Sequence, residues 1–185
     1  MSTPPNLDAT LRESREFLKN QIARREPAPC PCCSRTVSVA RRRIRASQAE
    51  TLLALYRETL KRNPALERRP TWIHVEHELI APGIVKNPGR DWSVLRHWGV
   101  IARKTTARNP GEANNGFWSI TRLGIDVVNS PRSPLLESWV DTFNGQAWQR
   151  SPDRVSLVQA LGRSFDYEEE ILAPNRPPIC FGEVA

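Results

Sequence analysis

Two sets of side chains in this sequence are spaced for chemistry. The first is the thiol cluster Cys30-Pro-Cys32-Cys33. Thiolates at the spacing of Cys30 and Cys33 can share one tetrahedral Zn²⁺, but a structural site takes four ligands. The chain offers His74 and His77 for the other two, or a second copy of the knuckle across a dimer. His-x-x-His is tighter than the usual spacer between zinc-binding histidines, which makes it a weaker match than the cysteine pair. A redox pair of the thioredoxin type would open a helix after a buried strand, and no strand-helix-strand pattern precedes Cys30. The order His74-Val-Glu-His77-Glu78 also departs from the metalloprotease motif, whose imidazoles stand at i and i+4 with the Glu between them. A structural or capping role suits His74 better.

The second set is cationic. Arg41, Arg42 and Arg43 form a run that suits a phosphate backbone, since each guanidinium takes two phosphate oxygens; the alternative is a solvated linker. Further along come Arg90, Ser93, Arg96 and His97, then Arg103, Lys104 and Arg108 with Asn114 and Asn115 behind them. Cations mixed with hydrogen-bonding side chains are what a DNA-reading surface needs. Catalysis has no such support. No nucleophile stands with a base, no Gly-rich phosphate loop occurs, and Glu168, Glu169 and Glu170 are consecutive, so they point in different directions on a helix. The expectation is a protein that is not an enzyme.

The elements that must position the second set lie between Asp91 and Val128. Trp92, Leu95 and Trp98 repeat at the spacing of a short helix with one buried stripe, which leaves Arg90, Ser93 and Arg96 to project outward. Gly99 tolerates the left-handed conformation past a helix end, so Val100-Ile101 can turn at once into an extended run. Residues 101–106 and 117–121 are rich in β-branched and aromatic side chains, and the turn formers between them predict a hairpin with a long tip. Thr121 is the expected N-cap of a last helix with Leu123, Ile125, Val127 and Val128 as its apolar positions. Upstream, Ser47-Gln-Ala-Glu50 reads as a capping box that starts a helix at Gln48, with Ala49, Leu52, Leu53, Tyr56 and Leu60 on one face and an end near Arg62. Thr71-Trp72-Ile73 is a short strand, and residues 74–81 a short second helix.

Helix, Gly, strand, loop, strand, helix is the order of a winged helix-turn-helix, and the phrase LRHWGVI…GFWSITRLGIDVV resembles the recognition helix and wing of that superfamily. The chain more closely resembles an uncharacterised group of small proteins encoded by bacteriophages and prophages. Their pattern is a Cys-x-x-Cys knuckle, a basic run, a helix and three Trp-containing phrases, matched here by Cys30 to Cys33, Arg41 to Arg43, Thr51 to Lys61, Trp72 to Val75, Leu95 to Ile101 and Trp118 to Gly124. It extends weakly to residues 164–172. The resemblance implies an α+β fold, a winged helix-turn-helix core of three helices and a two-stranded wing, and it brings no known activity.

The rest of the chain is read as appendages. Residues 1–29 predict an amphipathic helical arm with Leu7, Leu11, Phe17, Leu18 and Ile22 on one side; 30–46 are the knuckle and basic linker; 47–130 are the winged domain. Residues 131–172 predict an extension, in which Asn144-Gly145 turns a hairpin between 136–143 and 146–150, followed by a short helix over 155–165. Residues 173–185, with Cys180, are a loose tail.

At 185 residues and 39% hydrophobic content, the chain suits one ordinary domain with appendages. Its net charge of +7 is uneven: cations dominate from Arg35 to Arg132, and acids dominate beyond Ser133. That balance fits a polyanion-binding centre, or only good solubility. No apolar run spans a bilayer and no signal peptide opens the chain, so the expectation is a cytoplasmic protein of a bacterial or phage-infected cell, without a membrane partner. Two functions follow. One is double-stranded DNA binding by the winged helix, as a phage or prophage transcriptional regulator, acting singly or as a homodimer. The other is an adaptor that binds a host protein, for which Trp139, Phe143 and Trp148 supply the apolar patch.

Overall fold

The computed structural model describes residues 11–31, 34–66, 69–85, 92–105, 113–143 and 146–172. Helix and strand are mixed, an α+β architecture. In chain order the elements are α1 (Leu11–Arg24), β1 (Ala28–Pro29), β2 (Thr36–Val37), β3 (Ala40–Arg43), α2 (Ala46–Arg62) and β4 (Ile73–His74). A wide π-type turn, Val75–Ile80, and a 3-10 helix, Trp92–Trp98, come next. They are followed by β5 (Ile101–Thr105), β6 (Ala113–Ile120), α3 (Arg122–Asn129), β7 (Leu136–Glu137), β8 (Trp139–Phe143), β9 (Gln146–Arg150), β10 (Arg154–Val155) and α4 (Leu157–Leu161). A second π-type turn, Glu168–Leu172, ends the described chain. Among the described residues no helix is long and apolar enough to cross a membrane.

The chain forms two compact units. The first joins Met1–Arg43 to Trp139–Arg150, and the second joins Ile44–Ser138 to Ser151–Ala185. Strand pairing therefore divides the segment 131–172, which sequence placed in one extension. β8 pairs with β3, Arg41 opposite Asp141, whereas β7 pairs with β10 inside the second unit.

In the second unit, α2 begins at Ala46, not at Gln48, because Gln48 Oε1 rather than Ser47 caps the entry: it accepts from the Arg45 N–H at 3.0 Å. The helix stops at Arg62, where Asn63-Pro64 removes the next donor. Ala49, Leu52, Leu53, Ala54, Leu55 and Tyr56 are all buried, a wider stripe than one helix face, since this helix runs through the centre of its unit. β4, β6 and β5 pair antiparallel in that order, with Ile73 opposite Trp118 and Ile101 opposite Ile120. These four side chains are buried.

Gly99 has φ +72°, so the chain reverses there as its sequence position demands. Thr121 then joins the two ends of the ribbon. Its Oγ1 donates to Gly99 O at 2.6 Å and accepts from the Gly124 N–H at 3.2 Å as the N-cap of α3. Within α3, Val127 and Val128 are buried, but Leu123 is exposed. Trp98 is fully buried, and its indole N–H donates to Glu137 O at 2.7 Å. α4 is shorter than the helix sequence suggested: Ser156 and Gln159 make a reciprocal capping box at its start, and left-handed Gly162 ends it.

In the first unit, β1 and β2 form a small hairpin around the cysteine knuckle. β3, β8 and β9 form a three-stranded antiparallel sheet, and the Asn144-Gly145 turn expected between β8 and β9 lies outside the described residues.

Candidate nucleic-acid interface

The geometry of the Trp92–Trp98 helix decides which of its side chains face outward. A 3-10 helix has three residues per turn, so side chains three apart eclipse one another in three lines. Trp92, Leu95 and Trp98 form one line and Val94 with His97 a second, and all five are buried. The third line is Ser93, half-buried, and Arg96, exposed. Arg96 thus points outward as sequence suggested. His97 does not, because it falls under Val94 and not beside Arg96. The Trp92 indole N–H donates to Glu76 Oε1 at 3.1 Å, and its ring meets Trp118 edge to face at 5.1 Å, which orients the helix against the π-type turn and the sheet.

Beyond Gly99, β5 alternates. Arg103 pairs opposite Trp118 and lies on the face that carries Ile101 and Ile120, at its exposed rim. Lys104 lies on the other face, where its Nζ stands 5.3 Å from the Phe117 ring centre and 5.9 Å from that of Trp72. A cation over aromatic faces is held by the ring quadrupole. Trp72 and Phe117 therefore set the position of Lys104, a role sequence reading missed; the signal was the alternation of Phe117 with the buried Trp118. Arg90 and Arg108 lie outside the described residues.

His74 shares the Lys104 face. Its ring is edge-on to Phe117 at 5.0 Å and 4.2 Å from the His77 ring. The His77 N–H donates to His74 Nδ1 at 3.3 Å, so that nitrogen caps the turn; Glu78 Oε1 accepts from the His74 N–H at 2.8 Å. The other nitrogen, Nε2, packs on Gly116, where a Cβ would come within 2.2 Å of it. Both ring nitrogens of His74 are thus engaged or hemmed in. Burial pushes the Glu78 carboxyl up, but the His74 N–H and the Arg62 guanidinium outweigh it and hold the group below its ordinary range.

The remaining expected residues belong to the first unit. Arg41, Arg42 and Arg43 form β3 and are not a linker. Arg41 is committed: its Nε and Nη2 donate to Asp141 at 2.8 and 3.1 Å, and its guanidinium carbon stands 3.6 Å from the Trp139 ring centre. The hydrogen bonds to Asp141 raise its pKa further. Arg25 Nη2 donates to the same carboxylate at 2.7 Å. Asp141, also missed in sequence, is buried.

Cys30 sits half-buried in the knuckle, where its N–H donates to Arg35 O and its carbonyl accepts from the Ser34 N–H, both at 2.8 Å. Ser34, at φ 56°, makes the tight return. Cys33 lies outside the described residues, and His74 and His77 belong to the other unit. Among the described residues no group of three or more His, Cys, Asp or Glu side chains is placed to hold a metal ion. Comparison with protein-family models, with curated proteins and with solved structures gives no match to this chain.

Proposed function

We propose that the second unit is a winged helix that binds double-stranded DNA through Arg96 and the cations of β5. The observation that carries this reading is the eclipsed 3-10 helix. Two of its three lines are buried, and the third presents Ser93 and Arg96 to solvent. The sheet order β4-β6-β5 supports it, because the strand before the second helical turn pairs with the hairpin and fixes the wing against the helices, as in a winged helix-turn-helix. Arg103 and Lys104 lie on opposite faces of the ribbon, so a duplex against one face would meet one of them directly, with Arg96 as the shared anchor. Transcriptional control in a phage or prophage is the use this reading implies.

A mobility shift on random duplex DNA tests it. The parent chain should shift at low salt. Arg96→Glu should weaken binding strongly, and Arg103→Ala should reduce the slope of log K against log salt by about one unit, as loss of one phosphate contact requires. A parent that fails to shift, or an Arg96→Glu chain that shifts like the parent, would end the proposal.

We also propose a structural Zn²⁺ on Cys30 and Cys33. Its support is the hairpin turn around Cys30, which carries the short backbone bonds of a knuckle. Elemental analysis should find zinc in the purified chain, at half an atom per chain if two copies share one ion. A folded, metal-free chain would contradict it.

A further inference from the structure

The sheet of the first unit has a face that the duplex-binding reading does not use. Residues opposite one another in an antiparallel pair share a face. Arg43 is opposite Trp139, Arg41 opposite Asp141, and Phe143 opposite Gln146, so Arg43, Arg41, Trp139 and Phe143 lie on one side of the sheet. Val140 and Thr142, on the other side, are buried. The register slips between Asp141 and Thr142, and the extra residue in β9 is Trp148. A bulge of this kind re-aims a side chain. Here it brings the Trp148 ring to 6.0 Å from that of Phe143, at 67°. Trp148 is 49% exposed, the one large apolar side chain of this unit so exposed among the described residues.

We propose that this face binds single-stranded DNA, with Trp148 stacking on a base and Arg43 contacting phosphate. Charge selects the partner. Asp141 is the one acid in the three strands, and it is buried and bonded to Arg25 and Arg41, so these strands themselves present no exposed carboxylate. Aromatic rings set among guanidinium groups suit a strand whose bases are unstacked and whose backbone is anionic. A duplex keeps its bases inside its stack, and a protein partner would have to bring carboxylates to match these arginines, whereas a nucleic-acid strand carries an anion at every residue. Trp139 has a different part, since Arg41 covers its ring. The choice of DNA over RNA rests on the reading of the second unit; the preference for a single strand does not.

The test is fluorescence anisotropy of the full chain with labelled oligo(dT) of about 12 nucleotides, within the site sizes such platforms use. A duplex and an oligo(U) of equal length run in parallel. The parent should bind oligo(dT), with quenching of its tryptophan emission. Trp148→Ala should lose roughly 5- to 150-fold in affinity and most of that quenching, Trp148→Phe should stay within a few-fold of the parent, and Arg43→Ala should flatten the salt dependence. Arg96→Glu should leave oligo(dT) binding unchanged, which separates failure here from failure of the duplex reading. The proposal is overturned if the parent does not bind oligo(dT), if Trp148→Ala binds it like the parent, or if oligo(U) binds more tightly. It is also overturned if Trp148→Ala instead abolishes self-association by sedimentation, which would make the face a protein interface. Trp148→Phe, which keeps a ring on the edge strand, preserves the test should Trp148→Ala fold poorly.

Discussion

Both units contain a three-stranded antiparallel sheet, and both place a cation over aromatic rings, yet the two are held in different ways. In the second unit all three strands come from residues 73 to 120, and Lys104 rests on Trp72 and Phe117 above a sheet whose other face is apolar core. In the first unit β3 meets β8 across Ile44–Ser138, the longer segment of the second unit: Arg41 and Asp141 are 100 residues apart. There the cation over the ring is also ion-paired, and a buried carboxylate with two arginines ties strands and helix end together. A core formed from contiguous sequence is closed by hydrophobic burial at small loop entropy. A sheet closed over a long separation needs a directional contact to fix its register.

The contrast can be broken most forcefully at Trp98. This indole is fully buried and bonded to Glu137 O, so Trp98→Ala should cost about 3 to 5 kcal/mol and abolish the cooperative melt of the second unit. A melting curve like the parent's would show that burial at this position does not hold the unit. Asp141→Asn should act on the first unit, by less. Arg25 and Arg41 would lose the shared negative charge and one of its two accepting oxygens but are exposed enough to regain water, with side-chain exposures of 46% and 34%. Limited proteolysis should then cut near Arg25 and β3 faster than in the parent, with the second unit unaffected; equal protection of both units would make the latch dispensable.

Gly99→Ala sharpens the comparison at smaller scale. The nearest atom to a new Cβ is Leu123 Cδ2 at 4.0 Å, so sterics with neighbours cost nothing and only the left-handed φ is penalised, by roughly 1 to 2 kcal/mol. The melting temperature of the second unit should fall by a few degrees without loss of the fold. A drop as large as that of Trp98→Ala would mean the reversal, and not the indole, is the weak point.

The smallest effect should appear at high pH. Tyr56 OH donates to Asn129 Oδ1 at 2.6 Å and lies 2.9 Å from Tyr167 OH. Burial, then the Tyr167 hydroxyl, pushes its pKa up from 10.0. A phenol that ionises more readily unfolded than folded adds stability fully present below the unfolded value, and that stability is lost as pH rises above it towards the folded value. The stability of the second unit should therefore decline from pH 10.0 upward, and Tyr56→Phe should flatten the decline while costing about 1 kcal/mol at neutral pH. An equal decline in Tyr56→Phe would assign the alkaline sensitivity to other groups.

Much of the second unit was legible in advance. Trp92, Leu95 and Trp98 at three-residue spacing, Gly99 before a β-branched run, and Thr121 before an apolar helix are each local signals, and local signals survive folding when the contacts they serve are near in sequence. The start of α2 was missed because Gln48 and Ser47 both offer a capping group, and only packing chose between them. His97 was grouped with the DNA-reading side chains by its chemistry, whereas the 3-10 winding, at three residues per turn, stacks it in line with buried Val94.

The sequence by itself determined the composition of each element, the reversal at Gly99, the cap at Thr121 and the cations available for a polyanion. Tertiary structure alone decided that the arginines at 41–43 form a strand, that Asp141 holds two of the chain's arginines, that the 131–172 segment is shared between two units, and that Trp148 turns outward on a bulge. The first three depend on the pairing of β3 with β8, segments about a hundred residues apart, and the bulge on the register of β8 with β9. Periodicity reports which face of an element is apolar, but it carries no information about which distant strand will lie against it, and that choice rests on the free energy of the assembled sheet.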